Sequence, residues 1–191
     1  MARREPVGHG TYAEYVAAEA EREVRHEFLD GLVYAMAGGT PEHAALAAAL
    51  SREVGMGLQR KPCRVFSCDV RVRVFATGLA TYPDLSVVCG TLQTHPEDAD
   101  AIVNPKVLFE VLSDSTEAYD RGAKAAHYRR IETLAEYVFI AQHEPLTEVY
   151  RRNERGHFEL FEARAGELIE LASIDVALSV SAVYANPLAA G

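Results

Sequence analysis

An acidic pair stands inside two apolar stretches of the chain, and a lysine follows on a predicted helix. Asp84 opens the stretch 83–89, Glu110 interrupts the stretch 106–112, and Lys124 comes a little later. A carboxylate in a buried strand is costly unless something compensates its charge. Two such carboxylates on neighbouring strands, with an ammonium nearby, therefore indicate a divalent-metal site.

The acidic pair is suited to bind Mg²⁺ or Mn²⁺. Hard cations prefer oxygen ligands and often use one or two carboxylates, together with water and substrate phosphate. Asp84 and Glu110 would supply the carboxylates, and the backbone carbonyl of Val111 would add a third oxygen. A metal held there polarises a phosphate oxygen and activates water, while Lys124 would orient that water or neutralise developing charge.

Each member of this set also has an interpretation without chemistry. Asp84 follows a proline and would then be a turn residue at the start of a strand. Glu110 would lie at an exposed edge, and Lys124 would be an ordinary solvated lysine on a helix. The apolar residues on both sides of Glu110 favour a paired or metal-bound carboxylate, because an isolated buried charge is unfavourable.

Four elements are predicted ahead of the acidic pair. They are a helix over 12–22, a β-hairpin over 26–36, a helix over 41–58 and a half-exposed strand over 64–75. Thr11 and Glu14 form a capping-box pattern for the first helix, and the Asp30-Gly31 pair is a hairpin signal. In the last strand, valines at alternate positions from 70 to 74 face one side and the arginines between them face the other.

The acidic pair lies on two predicted strands, and a helix and a further strand follow it. A strand, a helix and a strand in close succession predict a crossover, in which the two strands run parallel. The predicted elements from residue 82 onward are central strands over 82–89 and 106–113, a surface loop over 90–104, a helix over 119–134, a strand over 136–141, a hairpin of 147–152 with 157–161, a strand over 168–172 and a short helix over 181–184. Together they predict one α/β domain over residues 1–191, with a mixed central β-sheet flanked by helices and extra β-hairpins.

Composition narrows the class of protein. The formal net charge of −9 argues against a protein that coats nucleic acid, but a nuclease with a local basic face remains compatible with it. No apolar stretch approaches the roughly 20 residues of a membrane span. The basic N-terminal residues have no apolar segment behind them, so no signal peptide is predicted and a cytoplasmic location is expected.

The three cysteines are odd in number and lack a C-x-x-C spacing. Cys63, Cys68 and Cys89 lie on or beside predicted strands. They are interpreted as reduced residues of the core, with a zinc site as the alternative.

The order of these pieces resembles the PD-(D/E)XK superfamily of restriction-endonuclease-like nucleases. More narrowly, the chain is similar to a bacterial family of restriction-endonuclease-like proteins described as a domain of unknown function. The resemblance spans about residues 11–185 and rests on the segments His26–Gly31, His43, Tyr82–Val88, Glu110–Thr116, Tyr119–Lys124, Tyr128 and Glu136–Val138.

One departure from the superfamily concerns the lysine. The usual motif has a lysine two residues after the second acid, and this chain has Leu112 there. The narrower family takes its lysine from the following helix, and Lys124 matches that position. The resemblance therefore implies that Lys124 takes the catalytic place if its helix packs over the strand ends.

The resemblance also implies secondary site residues. Glu27 would complete the metal site, or else be an ion-paired surface residue. His43 would approach the metal or a phosphate, or else be a surface residue at a helix start, and Tyr128 would pack or hydrogen-bond to a site carboxylate. Asp120 and Arg121 would cap the helix or form an ion pair.

The activity implied by the resemblance is hydrolysis of phosphodiester bonds in nucleic acid, DNA above all, by a Mg²⁺-dependent endonuclease. Such nucleases commonly act as dimers, so a homodimer is expected by analogy. The alternative is a catalytically inactive protein that keeps the nuclease fold as a nucleic-acid-binding or protein-interaction module. The displaced lysine and the acidic net charge favour this alternative, whereas the intact carboxylate pair favours the enzyme.

Overall fold

A computed structural model describes residues 5–185 of the chain. Residues 1–4, on which the signal-peptide prediction rests, and residues 186–191 lie outside the described part. Between residues 5 and 185, every helix falls short of the length and apolar character needed to cross a membrane.

Within residues 5–185 the strands form two mixed sheets and a two-stranded ribbon. The first sheet contains, in spatial order, β1 (Gly8–His9), β3 (Leu32–Ala35), β2 (His26–Leu29), β6 (Leu79–Thr81), β5 (Arg71–Val74), β9 (Asp98–Ile102) and β8 (Thr94–His95). The second contains β13 (Phe158–Arg164), β12 (Leu146–Arg152), β11 (Glu136–Ile140), β10 (Val107–Val111), β7 (Leu85–Cys89) and β4 (Cys63–Ser67). The ribbon pairs β14 (Leu168–Leu171) with β15 (Val176–Ser179).

Three of the six helical segments within residues 5–185 begin at a residue whose side chain caps the first turn. The six segments are α1 (Tyr12–Glu19), α2 (Pro41–Gly57), α3 (Glu117–Tyr119), a π-helical turn (Asp120–Lys124), α4 (Ala125–Tyr128) and α5 (Val180–Val183). The predicted capping box of Thr11 and Glu14 is confirmed. Thr40 caps α2, and the following proline fits its first turn because that position needs no N–H donor.

The second sheet separates two apolar clusters, and strand alternation decides which residues face each one. Phe109 and Val111 face the cluster under α2, whereas Leu108 faces the cluster that includes Ala125 and Tyr128 of α4. Glu110 alternates with Phe109 and Val111, so it lies on the same face as Leu108. The sheet therefore presents Glu110 to the helix that carries Lys124.

Several predicted elements are confirmed. The Asp30-Gly31 turn joins β2 and β3, both of its residues have positive φ, and the later hairpin pairs β12 with β13. Strands β10 and β11 are parallel, as the crossover requires. The first helix ends at Glu19 rather than at residue 22. Strand β15 was not expected.

The strand predicted over 64–75 is wrong. It is two strands, β4 and β5, which belong to different sheets and are separated by a turn. Arg71 is buried rather than exposed, because both carboxylate oxygens of Asp98 accept hydrogen bonds from its guanidinium. A paired arginine can occupy an interior position that an unpaired one cannot.

The surface loop predicted over 90–104 is also wrong, since it contains β8 and β9. Strand β9 runs parallel to β5, and its Ala101 and Ile102 are buried. The acidic residues of this segment suggested a loop, but Asp98 lies inside the sheet as the partner of Arg71. The segment 90–104 therefore forms part of the first sheet instead of a surface loop.

The helix predicted over 119–134 is shorter at its end, because α4 stops at Tyr128. The Arg152 guanidinium donates hydrogen bonds to the carbonyl oxygens of Arg129, Ile131 and Leu134. A side chain from a distant strand thus satisfies carbonyls that would otherwise need the helix to continue. Sequence periodicity cannot reveal such a partner.

The prediction that all three cysteines are reduced is wrong in this structure. Cys63 and Cys89 form a disulfide between the neighbouring strands β4 and β7. Cys68 is a free thiol. The zinc alternative is wrong as well, because Cys63 and Cys89 are bonded to each other and no three His, Cys, Asp or Glu side chains within residues 5–185 are placed to hold a metal ion.

Two glycines near the end of α2 predict opposite responses to alanine. A Cβ at Gly57 would lie 2.6 Å from Val176 Cγ1, whereas a Cβ at Gly55 would meet nothing within 4 Å. We expect Gly57→Ala to lower the free energy of unfolding by about 1–3 kcal/mol through overpacking against a stiff side chain. Gly55→Ala is the matched control and should stabilise the helix by up to about 1 kcal/mol. Urea denaturation of both variants checks this, and equal effects would contradict it.

Candidate active site

Asp84 lies just before β7 and is held by the neighbouring strand. Its Oδ2 atom accepts a hydrogen bond from the backbone N–H of Val111 at 2.7 Å. The last pair of the β7–β10 ladder is Leu85 with Phe109, so Asp84 lies beside Glu110. The strand predicted from residue 82 therefore begins at Leu85, because the Asp84 side chain replaces a backbone partner.

Glu110 lies near the end of β10 with only 3% of its surface exposed. Its Oε1 atom is 2.6 Å from Lys124 Nζ and accepts a hydrogen bond from Tyr128 Oη at 3.2 Å. Glu110 is therefore a buried, paired carboxylate, and the alternative of an exposed edge position does not hold.

Lys124 ends the π-helical turn and is itself 4% exposed. Its ammonium contacts Glu110 and, at 3.2 Å, Asp120 Oδ1. The alternative of a solvated lysine is therefore wrong. π-Helical turns add a residue within a helix and are frequent at functional sites, and here the turn lies where the helix faces the strand ends.

The side chains surround a cavity of about 260 Å³. Its acidic lining comprises Glu27, Asp84, Glu110 and Asp120. Among the described lining residues, Lys124 and His43 are the basic ones. The rest of the wall comes from residues 35–39 at the end of β3, from Tyr82 and Val111, and from Ser113, Ser115, Thr116 and Tyr119 after β10.

The secondary residues named from the sequence also meet here. His43 Nε2 is 3.3 Å from Asp84 Oδ2, which places it at the cavity rather than on an outer surface. Glu27 is buried and accepts a hydrogen bond from the Thr81 hydroxyl. Tyr128 lies behind Glu110 and donates to it.

Asp120 is the site residue that sequence reasoning missed as such. It was expected to cap the helix or to form an ion pair, and the ion pair is confirmed, but its partner is the Lys124 ammonium and both residues are buried. The signal in the sequence was its spacing of four from Lys124, which places two helical residues on one face. That spacing is common among exposed ion pairs, so it did not indicate burial.

Burial and charge shift the protonation equilibria of the central pair. Burial raises the pKa of the Glu110 carboxyl well above its usual value; attraction by Lys124 opposes this effect, and repulsion from Asp120 and Asp84 adds to it. Burial alone would lower the pKa of Lys124, but attraction by Glu110, Asp120 and Glu27 raises it well above its usual value. The acidic residues around Lys124 therefore favour its ammonium form.

Asp84 raises the pKa of His43, as the acidic residues around Lys124 raise the pKa of that lysine. The hydrogen bond with Asp84 raises the pKa of His43, burial opposes this, and the charge of Asp84 adds to it. The Asp84 carboxylate thus has two neighbours that hold its orientation, the His43 ring and the Val111 backbone N–H.

Comparison with known proteins identifies the family. Uma2, described as "Putative restriction endonuclease", matches residues 12–182. The chain belongs to the Uma2 family. It is 32% identical over 174 residues to uncharacterized protein slr1290 of Synechocystis sp., covering 90% of this chain and 89% of that protein. Uncharacterized protein sll1609 of the same organism is 30% identical over 132 residues, which are 69% of this chain and 75% of that protein.

A solved structure shares the Uma2 protein's fold. It is described as a putative nuclease belonging to DUF820 from Anabaena variabilis, and it superposes with a TM-score of 0.72 over 92% of this chain and 98% of that one. The sequence identity is 17%, so this similarity concerns the fold. It confirms the predicted α/β restriction-endonuclease-like class, and with the family match it confirms the resemblance to PD-(D/E)XK-like proteins.

The Uma2 cavity fits the divalent metals that nucleases of this kind generally use. Four carboxylates face one lysine and one histidine, so negative charge exceeds positive charge in a buried space. No three His, Cys, Asp or Glu side chains within residues 5–185 are placed to hold an ion. Asp84, Glu110 and the Val111 carbonyl instead match the sparse oxygen set that Mg²⁺ binds together with water and phosphate.

Proposed function

We propose that this Uma2 protein is a metal-dependent nuclease that hydrolyses phosphodiester bonds in nucleic acid. The observation that carries the proposal is the meeting of Asp84 and Glu110 at one end of two adjacent strands, with the Lys124 ammonium 2.6 Å from Glu110. A buried carboxylate and a buried ammonium that line a cavity with a second, half-buried carboxylate are common at catalytic sites. The family description, restriction endonuclease, points to the same reaction.

In this proposal the carboxylates of Asp84 and Glu110 and the backbone carbonyl of Val111 bind Mg²⁺ or Mn²⁺ together with water and phosphate, and Glu27, which also lines the cavity, adds negative charge that favours a cation there. When bound, the ion supplies Lewis acidity to a phosphate oxygen and lowers the pKa of an attacking water. His43 keeps Asp84 oriented through the contact described above. Tyr128 does the same for Glu110, since its hydroxyl donates to Oε1.

Lys124 acts on the phosphate. Its ammonium carries a fixed positive charge in a space shielded from water, where electrostatic interactions are stronger than in bulk solvent. It would neutralise negative charge that develops on the phosphoryl oxygens as the bond to the leaving oxygen breaks. The position of Lys124 on a helix, twelve residues beyond the usual lysine position at Leu112, supplies the same cation from a different element.

The finer parts of the proposal are Mg²⁺ as the ion, DNA as the substrate, a homodimer as the assembly and the cytoplasm as the location. DNA follows from the restriction-endonuclease description of the family, and the dimer follows from the analogy with nucleases that cut two strands. In the reducing cytoplasm, Cys63 and Cys89 would tend toward thiols. Size-exclusion chromatography with light scattering tests the dimer.

The test of the proposed function is cleavage of labelled single- and double-stranded DNA and RNA with Mg²⁺ or Mn²⁺. We expect products that require the metal, disappear with EDTA and are absent for Asp84→Ala. Asp114→Ala is the control, because Asp114 pairs with His143 on the surface and lies outside the cavity lining. Binding without cleavage by the wild-type protein would favour the inactive nuclease-fold alternative. Equal cleavage by wild type and Asp84→Ala would place the activity elsewhere.

A further inference from the structure

Asp120 is a buried acid that the proposed metal site does not use. Its residue surface is 3% exposed, and its Oδ1 atom is 3.2 Å from the Lys124 ammonium. A buried ion pair as a whole can often be replaced by apolar residues at little cost, because desolvation offsets much of the attraction between its charges. The presence of Asp120 beside Lys124 therefore needs an explanation.

The backbone around Asp120 is fixed from two directions. Its N–H donates to the carbonyl oxygen of Thr116 at 2.9 Å, and its carbonyl oxygen accepts a hydrogen bond from Tyr137 Oη at 3.3 Å. Tyr137 lies on β11 and is buried. The start of the π-helical turn is thus anchored to the sheet, and the Asp120 carboxylate inherits a defined position.

The Lys124 ammonium lies between carboxylates from two different elements. Glu110 holds it from β10, and Asp120 holds it from the same helix, four residues earlier. Lysine has a flexible four-carbon stem, so one contact alone leaves the position of its nitrogen free to vary. Two contacts from separately anchored elements fix it, and an ammonium has donors enough for both and a third for a phosphate oxygen.

Glu110 cannot hold the lysine alone during the proposed reaction. A carboxylate that also binds a divalent ion has less negative charge left for an ammonium, and the ion repels that ammonium directly. Asp120 is outside the proposed ligand set and keeps its full charge. Resting on the proposed nuclease function, we propose that Asp120 is a positioning residue that holds the Lys124 ammonium against the reacting phosphate.

The test is a double-mutant cycle of Asp120→Asn and Lys124→Met in cleavage of a labelled oligonucleotide with Mg²⁺. If Asp120 acts through Lys124, Asp120→Asn should lower kcat about 10- to 100-fold, with KM changed less than about 3-fold. In the Lys124→Met background the same change should alter kcat less than about 2-fold. Asp120→Glu, which keeps the charge on a longer side chain, should retain more kcat than Asp120→Asn.

Glu117→Gln is the matched control, because Glu117 also makes an i,i+4 ion pair with a basic residue of this helix, but at the surface. Its kcat should stay within about 2-fold of wild type. Urea unfolding of the four cycle proteins supplies a second readout that needs no activity. There, Asp120→Asn should lower the midpoint less in the Lys124→Met background than in wild type.

The outcomes separate this inference from the proposed function. Three results would overturn the positioning role of Asp120 without affecting the proposed nuclease function. They are an unchanged kcat in Asp120→Asn, an equal loss of kcat in the wild-type and Lys124→Met backgrounds, and an equal shift of the urea midpoint in both backgrounds. An equal loss would mean that Asp120 acts on its own rather than through Lys124. A wild-type protein without cleavage would instead overturn the nuclease and this role with it.

Discussion

Replacement of Glu110 by glutamine is expected to lower the rate of Mg²⁺-dependent cleavage by more than about 1000-fold. Groups that only orient a metal ligand typically contribute about 10- to 100-fold, and Glu110 is proposed to bind the ion itself. Glutamine keeps the size of the side chain but removes the anionic oxygen that a hard cation requires. It also removes the charge that holds Lys124 from β10.

The fold should survive the Glu110→Gln change, because Lys124 keeps Asp120 as its buried partner. Circular dichroism of the purified variant checks the fold, and a cleavage time course with excess enzyme measures the rate. Glu162→Gln is the control, since Glu162 is an exposed residue on β13, away from the cavity lining. A folded Glu110→Gln protein that cleaves within 10-fold of wild type, about 1.4 kcal/mol in activation free energy, would contradict the ligand role of Glu110.

The sheet around the site could be predicted because its signals are local. The apolar stretches around Asp84 and Glu110 indicated central strands, and these are β7 and β10 of the second sheet. The segment that follows indicated a helix leading to a parallel strand, and β11 pairs with β10 in parallel. An apolar run between turn or helix signals is sufficient to predict such a strand, because a strand that is buried on both faces has apolar residues at nearly every position.

The sequence predicted that Asp84, Glu110 and Lys124 lie close together, but it did not predict the contacts that they make. Alternation places Glu110 on the helix-facing side of β10, yet no sequence pattern shows that Lys124 and Tyr128 meet it there. The π-helical turn decides which helical residues face the strand, and such turns have no reliable signature in sequence. The burial of Asp120 could not be predicted for the same reason, because an i,i+4 ion pair has the same spacing on an exposed and on a buried helix face.

The first sheet was harder to predict from the sequence, because an ion pair between two residues that are distant in sequence helps to form it. Arg71 was predicted to be exposed and Asp98 to lie in a loop, and each is buried because of the other. A charged residue in the interior requires a partner, but sequence does not state which residue is the partner. The wrong predictions for Arg71 and for Asp98 therefore have one cause, an ion pair between two residues that are distant in sequence.

That pairing leads to the largest expected effect on stability. Arg71 donates to both oxygens of Asp98 at 2.9 and 2.7 Å, and Tyr12 Oη donates to Asp98 Oδ2 at 2.6 Å. Removing one member of a buried pair leaves the other charge unpaired, which typically costs about 3–5 kcal/mol. We expect Asp98→Asn to lower the free energy of unfolding at pH 7 by this amount, as measured by urea denaturation. Asp100→Asn, at an exposed residue of the same strand, should change it by less than about 0.5 kcal/mol.

The effect of Asp98→Asn should also depend on pH, in a direction fixed by its carboxyl. Burial raises the pKa of Asp98, but the hydrogen bonds from Arg71 and Tyr12 outweigh burial, so the folded-state pKa lies below the usual value of 3.8. A carboxyl with a lowered pKa stabilises the fold fully above its unfolded pKa, and that contribution is lost as pH falls through the folded one. The difference between wild type and Asp98→Asn should therefore be constant near neutrality and shrink below about pH 4. A difference that grows in acid would mean that Asp98 is not the ionised partner of Arg71.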